Sequence, residues 1–502
     1  MVRVRFAPSP TGPLHIGGVR TALYNYFFAL KNNGKLILRI EDTDQTRFVE
    51  GAEKYIIESL TWCGIKFDEG PHIGGKFGPY RQSERKDIYK QYALYLIEND
   101  YAYYAFDTAE DLEKIRKEYE SRKETFQYDC KTRNKMINSL TLSCEQVKQR
   151  IENNEPYTIR LKVPAETIIE VNDIIRGKVT VKSENIDDKV IFKSDGMPTY
   201  HLANIVDDHL MEITHVIRGE EWLPSAPLHV LLYRFLGWQQ PEFAHLPLLL
   251  KPDGNGKLSK RDGDRLGFPV FPMQWTDPKS GEKSSGYKES GYFPDAFINM
   301  LALLGWNPGD EREIMSVEEM SQAFSMEQVS KSGAKFDPVK AKWFNHQYLM
   351  KKDIKEIADE FEKVLLKNNI KIADKKQIEA IALLLRERVD FVNDMYDAGK
   401  FFFLDPETYN EANLKKHTTP NSHTWLKELA KSFSSIEWNK QEIDDSISKY
   451  IKTNELPAGK VYNILRIAIV GDSTGPHLTD ILFILGKEKT IYRIEKLATI
   501  LN

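Results

Sequence analysis

Cysteine is scarce: Cys63, Cys130 and Cys144 are the three in 502 residues, and no two form a Cys-x-x-Cys pair. An odd, scattered set argues against a disulfide framework and against a cysteine-rich metal site, and a reducing cytoplasm fits it best. Long apolar runs are missing too. None approaches the ~20 residues needed to span a bilayer, and the start MVRVRFAPSP has no apolar stretch of the kind that makes a signal peptide. Nor does one sign of charge dominate. Against 70 Lys and Arg stand 74 Asp and Glu, a formal net charge of -4, which argues against a histone-like binder but leaves room for local basic patches. There is no internal repeat and no low-complexity tract. What is present is ordinary globular composition, 41% hydrophobic and 11% aromatic, in a chain long enough for about three to five domains.

Residues 2–7 alternate apolar and polar and predict a strand. A Pro/Gly-rich turn follows from Pro8 to Pro13. Val19, Ala22, Leu23, Tyr26, Phe27 and Leu30 then recur at the spacing of a buried helical face, with Asn33-Gly34 as its stop. Lys35 to Ile40 predicts the next strand. Strand, loop, helix, strand is a βαβ unit and implies a parallel α/β sheet. Residues 109–149 are charged and helix-prone, residues 157–192 hold several β-rich runs, and residues 214–218 and 228–236 read as a strand and helix returning to the first sheet. The mixed block between is expected to be an inserted domain. Residues 262–292 are Gly-, Ser- and Pro-rich and predict a long loop. Beyond Tyr292 the patterns are helical: Ile354 to Leu365, Ile378 to Met395, Leu426 to Phe433 and Tyr462 to Val470. An all-α C-terminal third is expected.

Two motifs carry chemistry. The first is Pro8-Ser9-Pro10-Thr11-Gly12-Pro13-Leu14-His15-Ile16-Gly17-Gly18. Its glycines let backbone approach a ligand, and the helix that follows turns free N–H groups and a positive dipole end toward it. His15 adds a donor for phosphate. The second is Lys257-Leu258-Ser259-Lys260-Arg261, preceded by Pro252-Asp253-Gly254-Asn255-Gly256. Two lysines three apart on a glycine-rich loop can stabilise negative charge developing on an α-phosphate. Guanidinium groups suit carboxylates or phosphates, and an acid suits an ammonium. Arg5 ends the first strand, Arg218 ends a later one and Glu41 follows the strand Leu36–Ile40, all at strand C-termini, where open α/β sheets bind ligands.

At the two motifs the sequence resembles class I aminoacyl-tRNA synthetases, with their HIGH-like and KMSKS-like signatures. Gly18 in place of a second histidine, and the lysine loop KLSKR, are usual in the glutamyl branch. The strings RFAPSPTGPLHIGG, ILRIEDTD, GPYRQSER, KSDGMPTYHLANIVDDH and VIRGEEW also look like that branch. The resemblance covers nearly the whole chain, most strongly residues 3–100 and 190–262. It implies an α/β fold: a Rossmann-like catalytic domain with an inserted α+β acceptor-binding domain and an all-α anticodon-binding region of bacterial type. The expected segments are 1–105 (catalytic, first half), 106–190 (insert), 191–250 (catalytic, second half), 251–345 (lysine loop and stem contact) and 346–502 (anticodon region).

The resemblance also assigns residues. Arg5, Ser9, Glu41, Tyr200, Asn204 and Arg218 bind glutamate. Pro10, Thr11, Gly12, His15, Gly17, Gly18, Glu221, Leu248, Lys257, Ser259 and Lys260 bind ATP, with Glu221 reaching the ribose and the backbone of His245 to Leu248 passing along the adenine. His15, Lys257 and Lys260 are catalytic, and Arg388 reads the third anticodon base. The implied reaction joins L-glutamate to tRNA-Glu through an adenylate, with ATP and Mg²⁺, in a cytoplasmic monomer. Some relatives hold zinc in the insert. Here that region reads Tyr101-Ala102-Tyr103-Tyr104-Ala105-Phe106 and then a lone Cys130, short of the four ligands that tetrahedral zinc takes, so no zinc is expected. Three alternatives stay open: a glutaminyl enzyme, against which Arg218 argues; a truncated enzyme that modifies a base, against which the helical C-terminal region argues; and a non-catalytic descendant, against which His15, Lys257 and Lys260 argue.

Overall fold

The computed structural model describes residues 1–372 and 374–502. The chain divides into two compact units, Met1–Ser290 with Pro294–Pro338, and Gly291–Phe293 with Val339–Asn502. In the first unit β1 (Arg3–Phe6), α1 (Ile16–Lys31) and β2 (Lys35–Leu38) lead into α2 (Ala52–Trp62), α3 (Lys86–Glu98) and β3 (Ala102–Ala105). Next come α4 (Ala109–Ser121), α5 (Cys144–Glu152), β4 (Thr158–Leu161), β5 (Ile168–Asp173), β6 (Gly177–Lys182) and β7 (Val190–Phe192). Then follow α6 (Tyr200–Leu210), β8 (His215–Gly219), α7 (Ala226–Phe235), β9 (Glu242–Leu246) and β10 (Leu249–Leu250).

The expected βαβ unit is present. β1 and β2 are parallel, with Arg5 opposite Ile37, and β8 and β9 are parallel, with Arg218 opposite His245. Thr214, just ahead of β8, donates its N–H to Arg3 O at 2.9 Å and accepts the Arg3 N–H on Oγ1 at 2.9 Å, which stitches β1 to the second pair. The ends of β1, β2 and β8 therefore open on one side. Helix α1 buries more than one face: Tyr24 and Ala29 are inside with Val19, Ala22, Leu23 and Phe27. The expected core position Leu30 is instead 43% exposed. The cause is packing on two sides, against the sheet and against the segment around Ala302, whose carbonyl accepts from Tyr24 Oη at 3.0 Å. The helix stops at Lys31, and Gly34 is required just beyond it, because a Cβ there would lie 2.5 Å from Val2 O.

Strand pairing cuts across the expected insert. β3, β4 and β7 form a three-stranded antiparallel sheet, so β3 pairs with strands of the expected insert. β5 and β6 leave it: β5 pairs parallel with β9, Asp173 opposite Phe243, and antiparallel with β6. Residues 168–182 thus extend the sheet of β8 and β9 in the order β6-β5-β9-β8. The segment 262–292 is not a bare loop either. It holds α8 (Lys260–Leu266) and a short antiparallel pair, β11 (Trp275–Thr276) with β12 (Lys283–Ser284). Trp275 packs edge-on to Tyr55 at 5.1 Å, and Val270 O accepts from Ile16 N at 3.0 Å. The chain is anchored there on the first motif.

From Val339 on, the described residues of the second unit are helices and turns. The helices Ile354–Lys367, Lys375–Leu385, Ser422–Ser435, Ala458–Val470 and Lys487–Ile500 enclose one apolar core, in which Phe361, Ile381, Leu429, Phe433, Ile464 and Ile494 are fully buried. The helix expected over 378–395 ends at Leu385. A 3-10 turn, Arg386–Arg388, follows, and then extended Val389 and Phe391. Asn345 Nδ2 donates to Asp390 O at 2.7 Å and His346 Nδ1 lies 2.8 Å from Val389 O, so side chains take the carbonyls that a continuing helix would use. Among the described residues no helix is long and apolar enough to cross a membrane. Cys63 is buried, Cys130 half-buried and Cys144 exposed, all as free thiols.

Candidate functional site

The chain leaves β1 through the Pro8–Pro13 turn, which Gly12 makes possible with φ +148. It enters α1 at His15, whose Nδ1 caps the helix by accepting from Gly17 N at 3.2 Å. That bond fixes the proton of the neutral ring on Nε2. Burial, and then the charge of Lys257, lower the His15 pKa to about 4, so near neutral pH the ring is an uncharged donor. Nε2 is buried without a partner among the described residues. His15 and the ends of β1, β2 and β8 border a cavity of about 600 Å³.

The structure brings most of the expected residues into this cavity: Arg5, Ser9, Thr11, Gly12, His15, Gly17, Gly18, Glu41, Tyr200, Asn204, Arg218, Glu221, Leu248 and Lys257. Pro10 borders a smaller recess beside it, which shares Ser9, Thr11, Glu41 and Tyr200. Ser259 and Lys260 do not line the cavity. Ser259 caps α8, with its Oγ on Asp262 at 2.6 Å, and Lys260 Nζ pairs with Glu282 at 2.7 Å. Lys257 does reach the cavity but pairs with Glu221 at 2.9 Å. Both lysines are thus held by exposed carboxylates, each of which a phosphate can displace. The Leu248 amide donates to Glu220 Oε1 at 2.8 Å. Its carbonyl accepts from Ala334 N at 3.0 Å.

At the opposite end, charge is buried. Glu41 accepts from Asn204 Nδ2 at 2.9 Å and from Arg39 at 3.1 Å. Burial raises its pKa against the pull of Arg39 and Arg5. Arg5 pairs with Asp208 at 3.0 Å, and Asp208 also holds Arg39 at 2.8 Å. Asp207 accepts from Gln82, Arg85 and Tyr89 at 2.9, 2.7 and 2.8 Å. Arg218 differs: its guanidinium donates to Tyr200 Oη, His229 and His245. Tyr200 in turn lies against Trp222, ring centroids 4.2 Å apart.

Sequence reasoning missed Arg39, Asp207, Asp208 and His229. The doublet Asp207-Asp208 is the one visible signal, since two adjacent acids inside an apolar helix call for buried cations. In the second unit Arg388 is exposed at the end of its 3-10 turn. Arg466 lies near enough that burial and then Arg388 lower its pKa. No group of three or more His, Cys, Asp or Glu converges as a metal site among the described residues.

Comparison with known proteins accounts for both units. The family described as tRNA synthetases class I (E and Q), catalytic domain, matches residues 1–343, and an anticodon binding domain matches residues 354–498. A glutamate–tRNA ligase of Christiangramia forsetii is 55% identical over 496 residues, 99% of this chain and 98% of that one. One of Porphyromonas gingivalis is 54% identical over 505 residues, 100% of this chain and 99% of that one. The crystal structure of a glutamate tRNA ligase from Elizabethkingia meningosepticum in complex with its amino acid matches with a TM-score of 0.98 at 53% identity, covering 100% of both chains. Two domain matches in the expected order, and relatives alike from end to end, lead to one statement: the chain belongs to the glutamate–tRNA ligase family of class I tRNA synthetases.

Proposed function

We propose that this chain joins L-glutamate to tRNA-Glu at the expense of ATP, through an adenylate. The observation that carries the reading is the meeting of Arg5, Glu41 and Arg218 with His15 and Lys257 in one cavity. Glu41 accepts from the substrate ammonium, Arg218 faces the side-chain carboxylate, and Tyr200 and Asn204 fix the orientation. The α-carboxylate then attacks the α-phosphate in line, a phosphorus–oxygen bond forms, and pyrophosphate leaves. The His15 Nε2–H donates to a phosphate oxygen, while Lys257 and Lys260 exchange their carboxylates for phosphate and hold the developing charge. Mg²⁺ would arrive on the nucleotide phosphates and add its charge there. In the second step the terminal ribose hydroxyl of the tRNA attacks the mixed anhydride and AMP leaves. No side chain serves as nucleophile, so the rate comes from positioning and electrostatics. The β3-β4-β7 segment receives the acceptor end, and Arg388 reads the third anticodon base, in a cytoplasmic monomer.

ATP–pyrophosphate exchange with glutamate or glutamine, with and without tRNA-Glu, tests the reading. With tRNA-Glu present, exchange is expected with glutamate and not with glutamine, and Lys260→Ala is expected to lower it by about 10²- to 10³-fold, the usual loss of one preorganised charge donor. Full exchange by Lys260→Ala, or equal exchange with glutamine, overturns it. Charging of tRNA-Glu by Arg388→Ala is expected to show a raised KM for tRNA with kcat little changed.

A further inference from the structure

Three arginines stand at the amino-acid end of the cavity, and two are neutralised. Arg5 and Arg39 share Asp208, and Arg39 also has Glu41 and Asp207. Arg218 is as buried, at 5% exposed, yet its hydrogen-bond partners are all neutral. Its Nε donates to His245 Nε2 at 3.1 Å, and its two terminal nitrogens to Tyr200 Oη at 3.0 Å and His229 Nδ1 at 3.2 Å.

A guanidinium cannot accept, so both rings must present a bare nitrogen to it. His245 then carries its proton on Nδ1, which lies 2.6 Å from Asp173 Oδ2. Asp173 is itself anchored by the backbone N–H groups of Ile175, Arg176 and His245. His229 carries its proton on Nε2, 3.3 Å from His201 Nδ1. Each ring is fixed in tautomer and in angle by the partner behind it, and both are fully buried. Burial first, and then the charge of Arg218, keep His229 far below its ordinary pKa. Burial likewise lowers His245, although Asp173 pulls the other way.

We infer that His229 and His245, locked from behind by His201 and Asp173, are positioning residues that set the choice of a carboxylate over an amide by holding Arg218 with neutral acceptors. A carboxylate in either ring's place would hold the guanidinium equally well and cancel its charge. With neutral rings the desolvated cation keeps its charge for the ligand. An amide brings only a dipole, and one presenting its NH₂ would set donor against donor. The inference rests on the reading above, in which Arg218 receives the side-chain carboxylate of glutamate.

The test is exchange kinetics on the full chain with tRNA-Glu, measuring KM for glutamate, glutamine and ATP in His229→Asp, His229→Asn and Arg218→Ala. His229→Asp is expected to raise the glutamate KM about tenfold or more, near 1.4 kcal/mol, to shrink the glutamate-over-glutamine preference by a similar factor, and to leave the ATP KM within about twofold. His229→Asn, which keeps a neutral acceptor, is expected to recover most of that loss. If Asp and Asn behave alike, or if neither moves the glutamate KM, the inference is overturned. Should His229→Asp fail to fold by circular dichroism, His229→Glu beside His229→Gln makes the same comparison of a charged with a neutral acceptor. Arg218→Ala separates the two ideas: an unchanged glutamate KM there sinks the binding role of Arg218 itself, whereas a raised one beside a silent His229→Asp sinks only the positioning role.

Discussion

Arg39 is fully buried between Glu41, Asp207 and Asp208. Taking away one member of such a cluster leaves charge that water cannot reach, so Arg39→Ala is expected to cost about 3–5 kcal/mol in urea unfolding and to lose glutamate binding with it, since Arg39 holds both Glu41 and Asp208, the partner of Arg5. A cost below about 1 kcal/mol would mean that the cluster relaxes and holds nothing in place. His15 gives a second expectation. Its pKa of about 4 keeps it neutral from about pH 5.5 to 8, although an ordinary histidine would titrate in that range. The ratio of exchange rates between the native chain and His15→Gln is therefore expected to stay flat over those values. A ratio that bends near pH 6.5 would show a ring that titrates freely. Residues at strand ends were legible because position alone marks them: Arg5 and Arg218 end predicted strands and Glu41 follows one. Arg39 and His229 were not, because an arginine inside a strand or a histidine inside an apolar helix gives no local sign of the partner that three-dimensional packing supplies.

Elements whose periodicity is long and local were read well, as α1 and the helix Ile354–Lys367 illustrate. Those that depend on a distant partner were not. β5 and β6 look like part of the insert along the chain, and only the pairing of Asp173 with Phe243 moves them to the catalytic sheet. The helix after Lys375 was drawn too long because Asn345 and His346, about forty residues earlier, take the carbonyls of Val389 and Asp390. The β11–β12 pair was hidden by its glycines, serines and prolines, and the turn between the two strands carries Glu282, the partner of Lys260. That pair is exposed, and exposed pairs are worth about 0.2–1 kcal/mol. Glu282→Gln is accordingly expected to lower the KM for ATP by about two- to fivefold at most. An increase in KM would mean that Glu282 takes part in binding rather than holding the lysine back.

Across the whole molecule, buried histidines set the response to acid. His15 and His201 each have a pKa of about 4, both from burial first, and His229 is lower still than an ordinary ring. In the unfolded chain all three take up a proton as the pH falls through about 6.5, while the folded chain refuses it, so stability is lost between about pH 6.5 and 4. Asp188 works the other way. Burial raises it to about 6, and its protonation below that value relieves a buried charge. Burial raises Glu41 and Asp394 as well, but it also lowers His72, His209, His215 and His245, so the histidines outnumber the carboxyls and the urea midpoint at pH 5 is expected to lie below that at pH 7. Equal midpoints would mean that the rings protonate without unfolding.

The three thiols differ in a way that makes the chain convenient to observe. Cys144 opens α5 at the surface, Cys130 is half covered, and Cys63 is enclosed, its thiol pushed far up by burial. A maleimide dye needs an accessible thiolate, so brief labelling of the native chain should mark Cys144 first and spare Cys63, with peptide mass spectrometry to read the order. A fluorophore would then sit on the segment proposed to meet the acceptor end, without any engineered cysteine. The arrival of tRNA could be timed directly by its change in emission.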